Sequence, residues 1–179
     1  DDILVICDEI QCGIGRTGKL YGFNNYGVCP DIMSTAKGLG GGLPIGAVLC
    51  NEKLNNTFQY GDHGSTFGGN PVCAAGALEV LNVISEDSFL KEVREKGNFV
   101  RKYFKNKNKK NILEVRGMGL MIGIEIEGEA SKIQKEALKK GLLVLTAGPN
   151  VVRLLPPLVI SKEDLEEGLN ILYKIIEED

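Results

Sequence analysis

Ser34-Thr35-Ala36-Lys37-Gly38-Leu39-Gly40-Gly41-Gly42-Leu43-Pro44-Ile45-Gly46 sets a single lysine between a short extended run and a cluster of glycines. Apolar residues follow at Ala47, Val48 and Leu49, so Lys37 reads as held between two strands and shielded from water. Burial disfavours an ammonium and favours the neutral amine, which is a nucleophile. Such an amine forms a Schiff base with a carbonyl compound. Glycines beside it let a bulky ring and a phosphate come close to the backbone. Taken alone, the stretch fits a surface lysine in a glycine-rich turn better. A second stretch is needed to prefer the chemistry.

That stretch lies upstream. Ile3-Leu4-Val5-Ile6-Cys7 is a short continuous apolar run and reads as a buried parallel strand. Asp8-Glu9-Ile10-Gln11 follows at its carboxyl end, where open α/β sheets bind ligands. Side chains alternate along a strand, so Asp8 and Glu9 do not both face one ligand if the strand continues. A carboxylate beside a pyridine nitrogen keeps that nitrogen protonated. A lysine that forms a Schiff base and an acid that pairs the pyridinium are together the general signature of pyridoxal phosphate. The plainer reading of a lone Asp8 is a cap or turn residue after a strand.

Three blocks then fall in order: Asp8 to Gln11, Lys37 twenty-nine residues after Asp8, and His63-Gly64-Ser65-Thr66-Phe67-Gly68-Gly69-Asn70-Pro71. In order and spacing they resemble the class III pyridoxal-phosphate aminotransferases. The stretch from Gly141 to Leu158, with Ala147-Gly148-Pro149-Asn150 ahead of Arg153, is most similar to the branch that uses acetylornithine. The resemblance covers nearly the whole chain. It implies an α/β fold of the fold-type-I pyridoxal-phosphate transferases, with residues 1–85 ending the large cofactor domain and residues 86–179 forming a small α+β domain. It implies transfer of an amino group from N-acetylornithine to 2-oxoglutarate, in arginine synthesis. Lys37 and Asp8 become the catalytic pair. Asp8, Glu9, Ile10, Gln11, Lys37 and Thr66 become cofactor contacts, with Gln11 near the phenolic oxygen and Thr66 on the phosphate of the partner subunit's cofactor in a homodimer. Ser65 and Arg153 become substrate contacts. Other class III members, acting on ornithine, succinyldiaminopimelate or 4-aminobutyrate, share these residues, and a catalytically inactive module with the same fold stays open.

Composition narrows the alternatives. The 179 residues are 43% hydrophobic and 25% charged, as expected of a soluble globular chain of one domain or slightly more. A net charge of −3 gives no basic footprint, so no nucleic-acid partner is expected. No apolar run approaches the roughly 20 residues of a membrane helix. No secretory signal precedes the first strand, and a start at Asp1-Asp2 without methionine is expected of a piece of a longer protein. Five cysteines, with no C-x-x-C pair, read as reduced thiols of a cytoplasmic protein. With His63 the only histidine, no metal site is expected.

The remaining elements follow from local signals. Gly13-Ile14-Gly15-Arg16-Thr17-Gly18 contains G-x-G-x-x-G but opens no long helix, because Gly22, Gly27 and Pro30 follow. It reads as a turn-rich connection, with one or two helical turns between Leu20 and Tyr26. Strands are expected over 31–35 and 45–50, and a turn or short helix over 51–56. Asn70 and Pro71 predict a helix start, with a broad apolar face from Val72 to Ile84. The loop before it, with Ser65 and Thr66, reads as an anion site or as plain capping hydroxyls. Further helices are expected over 88–104, 131–140 and from about 162 to 176, and strands over 112–116, 120–126, 142–145 and 151–155. The basic run 105–111 lacks aromatics and reads as a solvated loop. Arg153, inside an apolar strand, needs an anion because it cannot shed its charge. A structural glutamate and a substrate carboxylate both satisfy that need, and the resemblance favours the carboxylate.

Overall fold

The computed structural model describes residues 3–107 and 111–178. Residues 108–110 of the basic run, and Asp1-Asp2, lie outside the described residues. The chain divides into two compact units, Asp1–Leu90 and Lys91–Asp179.

The first unit carries a three-stranded sheet of β1 (Ile6–Asp8), β2 (Ile32–Thr35) and β3 (Ala47–Cys50), in that spatial order. β1 and β2 run parallel, and β3 returns antiparallel. Asp8 therefore lies opposite Ser34, at the carboxyl edge shared by the two parallel strands. The expected buried strand over Ile3–Cys7 needs correction. Only Ile6–Asp8 is strand, and Ile3 and Ile6 are 74% and 66% exposed. Among the described residues β1 is an edge strand paired with β2 alone, so its apolar residues have no second strand to bury them. The turn-rich reading of residues 13–18 holds, and a 3-10 turn over Gly22–Asn25 supplies the expected short helix.

α1 (Pro71–Ile84) starts as expected, with the Asn70 side chain accepting from Cys73 N at 3.0 Å. Its broad apolar face is only partly used. Cys73, Ala77 and Ile84 are buried, whereas Val72 and Leu78 are exposed. Ala77 and Ile84 pack with Ile14 and Leu39, and Gly76 leaves the room that the Leu43 side chain occupies.

α2 (Asp87–Lys105) spans the division between the units. The second unit is a four-stranded antiparallel sheet of β4 (Ile112–Met118), β5 (Met121–Ile126), β6 (Leu145–Thr146) and β7 (Val151–Leu154), in the order β4-β5-β7-β6. α3 (Ala130–Lys139) and α4 (Lys162–Glu178) complete it. One face of β5 (Ile122, Ile124, Ile126) and Val152 of β7 pack against Val100 and Phe104 of α2, Ile133 of α3 and Leu169, Leu172 and Ile176 of α4. Each such side chain contributes about 1.5–3 kcal/mol of apolar transfer. The strand expected over 142–145 shrinks to two residues. Gly141, at φ +78°, turns the chain after α3, and the Leu142 amide donates back to Ala137 O at 2.9 Å, so it is taken from any ladder.

Candidate active site

The site is built at the carboxyl edge of β1 and β2. Asp8 ends β1, and its Oδ1 accepts from Ile10 N at 3.0 Å and from Ser34 Oγ at 3.3 Å. Ile10 and Ser34 in turn line a cleft of about 1060 Å³, walled on its other side by Phe58, Tyr60, His63 and Ser65. The cleft thus brings Ile10 and Ser65 together and has Asp8 fixed against its wall. Lys37 follows directly on the lining residues Thr35 and Ala36 and opens a 3-10 turn over Lys37–Gly40. Its φ is +49°, in the left-handed region that non-glycine residues rarely adopt. Such a conformation costs about 1–3 kcal/mol and persists only where the surroundings impose it, most often at functional sites. Gly38 makes part of that constraint, because a Cβ there would sit 3.3 Å from the Ile14 side chain.

Two expectations change here. Lys37 is exposed, not shielded between strands, because the segment after it turns away through glycines before β3 begins. Glu9 does not face the cleft. It is 3% exposed, and its two carboxylate oxygens accept from Gly22 N at 2.7 Å and Phe23 N at 2.8 Å. Its side chain is committed to backbone amides, so it leaves the set of side-chain cofactor contacts. Gln11 is half-buried, and Thr66 is exposed beside Ser65. The Ser65 hydroxyl accepts from Gly68 N at 3.0 Å, which shapes the loop ahead of α1.

Ser34 was missed by sequence reading, although parallel pairing of the two strands would have set it opposite Asp8. Near the same edge, burial and the Glu9 charge push the Cys12 thiol up to about 11, and Cys12 Sγ donates to Asp8 O at 3.2 Å. It is a protonated donor at neutral pH. Burial likewise raises the Tyr21 hydroxyl above its ordinary value.

Arg153 lies in the second unit, on β7, cross-strand from Gly123 of β5 and, beyond it, Arg116 of β4. Val152 points into the core, so Arg153 stands on the opposite face of the sheet. On that face Arg116 bonds both Glu114 and Glu125, which raises the guanidinium above its usual range and holds Glu125 below its own. Arg153 also borders an apolar cavity of about 580 Å³ between β7 and α4. No group of three or more His, Cys, Asp or Glu able to hold a metal occurs among the described residues. No helix among them is long and apolar enough to cross a membrane.

The sequence matches the family model of the class-III aminotransferases over residues 1–176. The chain belongs to the class-III aminotransferases. Among relatives, this class-III chain is 49% identical to the acetylornithine aminotransferase of Caldanaerobacter subterraneus, over 99% of its own length and 46% of the relative's. It is similar in structure to the N-acetylornithine aminotransferase of Stenotrophomonas maltophilia (TM-score 0.88, 38% identity, 99% of this chain and 48% of that one). It is also similar to an ornithine aminotransferase of Toxoplasma gondii solved with partial occupancy of PLP at its active site (TM-score 0.91, 32% identity, 99% and 43%). The fold is the one expected, that of the pyridoxal-phosphate-dependent transferases. The class-III chain spans about half the length of the curated relatives it matches.

Proposed function

We propose that the whole protein transfers the amino group of N-acetylornithine to 2-oxoglutarate, as a cytoplasmic homodimer carrying pyridoxal 5′-phosphate. The observation that carries this is the left-handed Lys37 at the carboxyl edge of β1 and β2, the edge that also presents Asp8, in a chain of this family. The donor set suits the cofactor. A primary amine, a carboxylate with both of its side-chain hydrogen bonds on Oδ1, and a cleft lined by Ile10 and Ala36 match an aldehyde, a ring nitrogen and a flat ring. Bound there, pyridoxal phosphate supplies the electron sink that makes the substrate's Cα proton acidic.

The residues of this chain then take these roles. Lys37 Nζ would hold the cofactor aldehyde, and its amine would take the Cα proton and return it as an acid. Asp8 keeps the ring nitrogen protonated, and the Ser34 hydroxyl and Ile10 amide keep Asp8 aimed. Ile10, which lines the cleft, would hold the ring, and Gln11 would serve its phenolic oxygen. Thr66 serves the phosphate of the partner subunit's cofactor, and Ser65 lies near substrate. Arg153 offers a planar fork to the α-carboxylate. Residues 1–85 act as the end of the cofactor domain and 86–179 as the small domain.

Borohydride reduction of the loaded whole protein, followed by peptide mass spectrometry, tests the central role. The adduct is expected on Lys37 and absent from Lys37→Ala, and an adduct on another lysine overturns it. Similarity to an ornithine aminotransferase supports ornithine as a second donor. The kcat/KM ratio of acetylornithine to ornithine decides between them.

A further inference from the structure

We propose that Glu9 is a positioning residue for the cofactor: its buried carboxylate folds residues 10–21 back onto the sheet edge, and so fixes Ile10 and the Asp8 carboxylate at the cleft. This role rests on the cofactor reading above.

All four polar groups of Glu9 are engaged. Its N–H donates to Ser34 O at 2.9 Å, which continues the β1–β2 ladder past Asp8. Its C=O accepts from Gly13 N at 3.0 Å, which starts the turn. Its two carboxylate oxygens take the consecutive amides of Gly22 and Phe23, which end the loop at the 3-10 turn. A carboxylate receiving two backbone N–H groups makes charge-assisted bonds, about twice as strong as neutral ones. The loop is therefore closed at both ends by one residue. The fit leaves no slack. A Cβ on Gly13 would lie 2.6 Å from Glu9 O, and one on Gly22 would lie 3.1 Å from each Glu9 carboxylate oxygen.

What the clamp fixes is the site. Asp8 and Ile10 flank Glu9 in the chain, and the Ile10 amide is one of the two groups that aim Asp8 Oδ1. Losing the clamp frees Ile10 to move, and Asp8 loses part of its orientation. Glu9 itself is too buried and too fully bonded to touch substrate or cofactor through its side chain.

Glu9→Gln keeps the length and one acceptor but turns an NH₂ toward the second amide. Three measurements on the whole protein test the role: alkylation of Cys12 by iodoacetamide before loading, mapped by mass spectrometry; the Kd for pyridoxal phosphate by absorbance titration; and thermal unfolding. Cys12 is a reporter because Glu9 helps hold its thiol up at about 11. Removing the charge and loosening the loop should speed its alkylation, by about tenfold for each unit the thiol pKa falls. The Kd should rise about tenfold as well. Ile84→Val, in the buried stripe of α1, serves as a control for stability loss alone. If Glu9→Gln does not fold, Glu9→Asp, which keeps the charge but shortens the reach, carries the same expectations in weaker form. An unchanged Kd, or an equal rise in Ile84→Val, overturns the proposal. Unchanged protein that shows no saturable pyridoxal phosphate binding overturns the cofactor reading itself, and the Cys12 measurement then reports on the clamp alone.

Discussion

Single residues at the edge of the first sheet carry the chemistry proposed above, and each is expected to respond differently to substitution. Asp8→Asn is nearly isosteric and keeps an acceptor for Ile10 N and Ser34 Oγ, so the cofactor should stay bound. An amide does not hold a ring nitrogen protonated, so turnover should fall by about a hundredfold or more. Wild-type turnover with retained cofactor would contradict the role of Asp8. Asp31 behaves as a purely structural acid. Val5 N, then Asn51 and Lys53, hold its carboxyl below the ordinary value. A depressed folded pKa means stabilisation that is fully present above the unfolded value near 3.8 and lost as pH falls through the folded one. Thermal midpoints measured from about pH 6 down to pH 2 should drop less steeply for Asp31→Asn than for the unchanged chain. Parallel acid limbs would remove Asp31 from that account.

Between elements, α2 approaches the β4–β5 turn with no room to spare. A Cβ on Gly97, in the middle of α2, would lie 2.1 Å from Gly119 O and 2.7 Å from Gly119 C. Both are backbone atoms of a turn in which Gly119 itself has φ +53°, so nothing flexible gives way. Two effects compete in Gly97→Ala. Helix propensity favours alanine by about 1 kcal/mol. The overlap forces α2 off the sheet, along with Val93, Val100 and Phe104, and costs about 3 kcal/mol. The overlap wins, and chemical denaturation should show a net loss of about 2 kcal/mol or more. A neutral or stabilising outcome would mean that the turn is free to shift.

On the scale of the whole molecule, the two units bury apolar side chains very unequally. The second has a continuous core from Val100 to Ile176, and the first a small cluster around Ile14, Leu39, Ala77 and Ile84. The first also exposes Ile3, Ile6, Val48, Phe58 and Phe67, beside an unpaired strand edge at β1. Such edges and patches favour association. The 179-residue chain made alone should therefore self-associate. Its amides at Cys7 and Met33 should exchange faster than those at Ile122, Ile124 and Val152. It should not turn over acetylornithine, because among the described residues β1 has no second strand neighbour and Lys37 is exposed. Size-exclusion chromatography, hydrogen exchange and a turnover assay check these outcomes. A stable monomer with uniform protection and turnover would overturn the expectation.

Features with causes close in the chain were legible in the sequence. The Asn70 cap, the Gly141 helix end and the core faces of α2 and α4 depend on residues within a few positions of each other. So did the parallel reading of the strand before Asp8 and the turn chemistry that kept Gly13-x-Gly15 from opening a long helix. The pairing of Asp8 with Ser34, twenty-six residues apart, came only from the register of two strands. The same is true of Glu9, whose carboxylate found its amides thirteen and fourteen residues on. Burial was the other quantity that pattern did not decide. Ile3 to Ile6 and the glycine-flanked Lys37 both looked buried, and both are exposed. A side chain's apolar character is local, but water is excluded from it only by what packs against it.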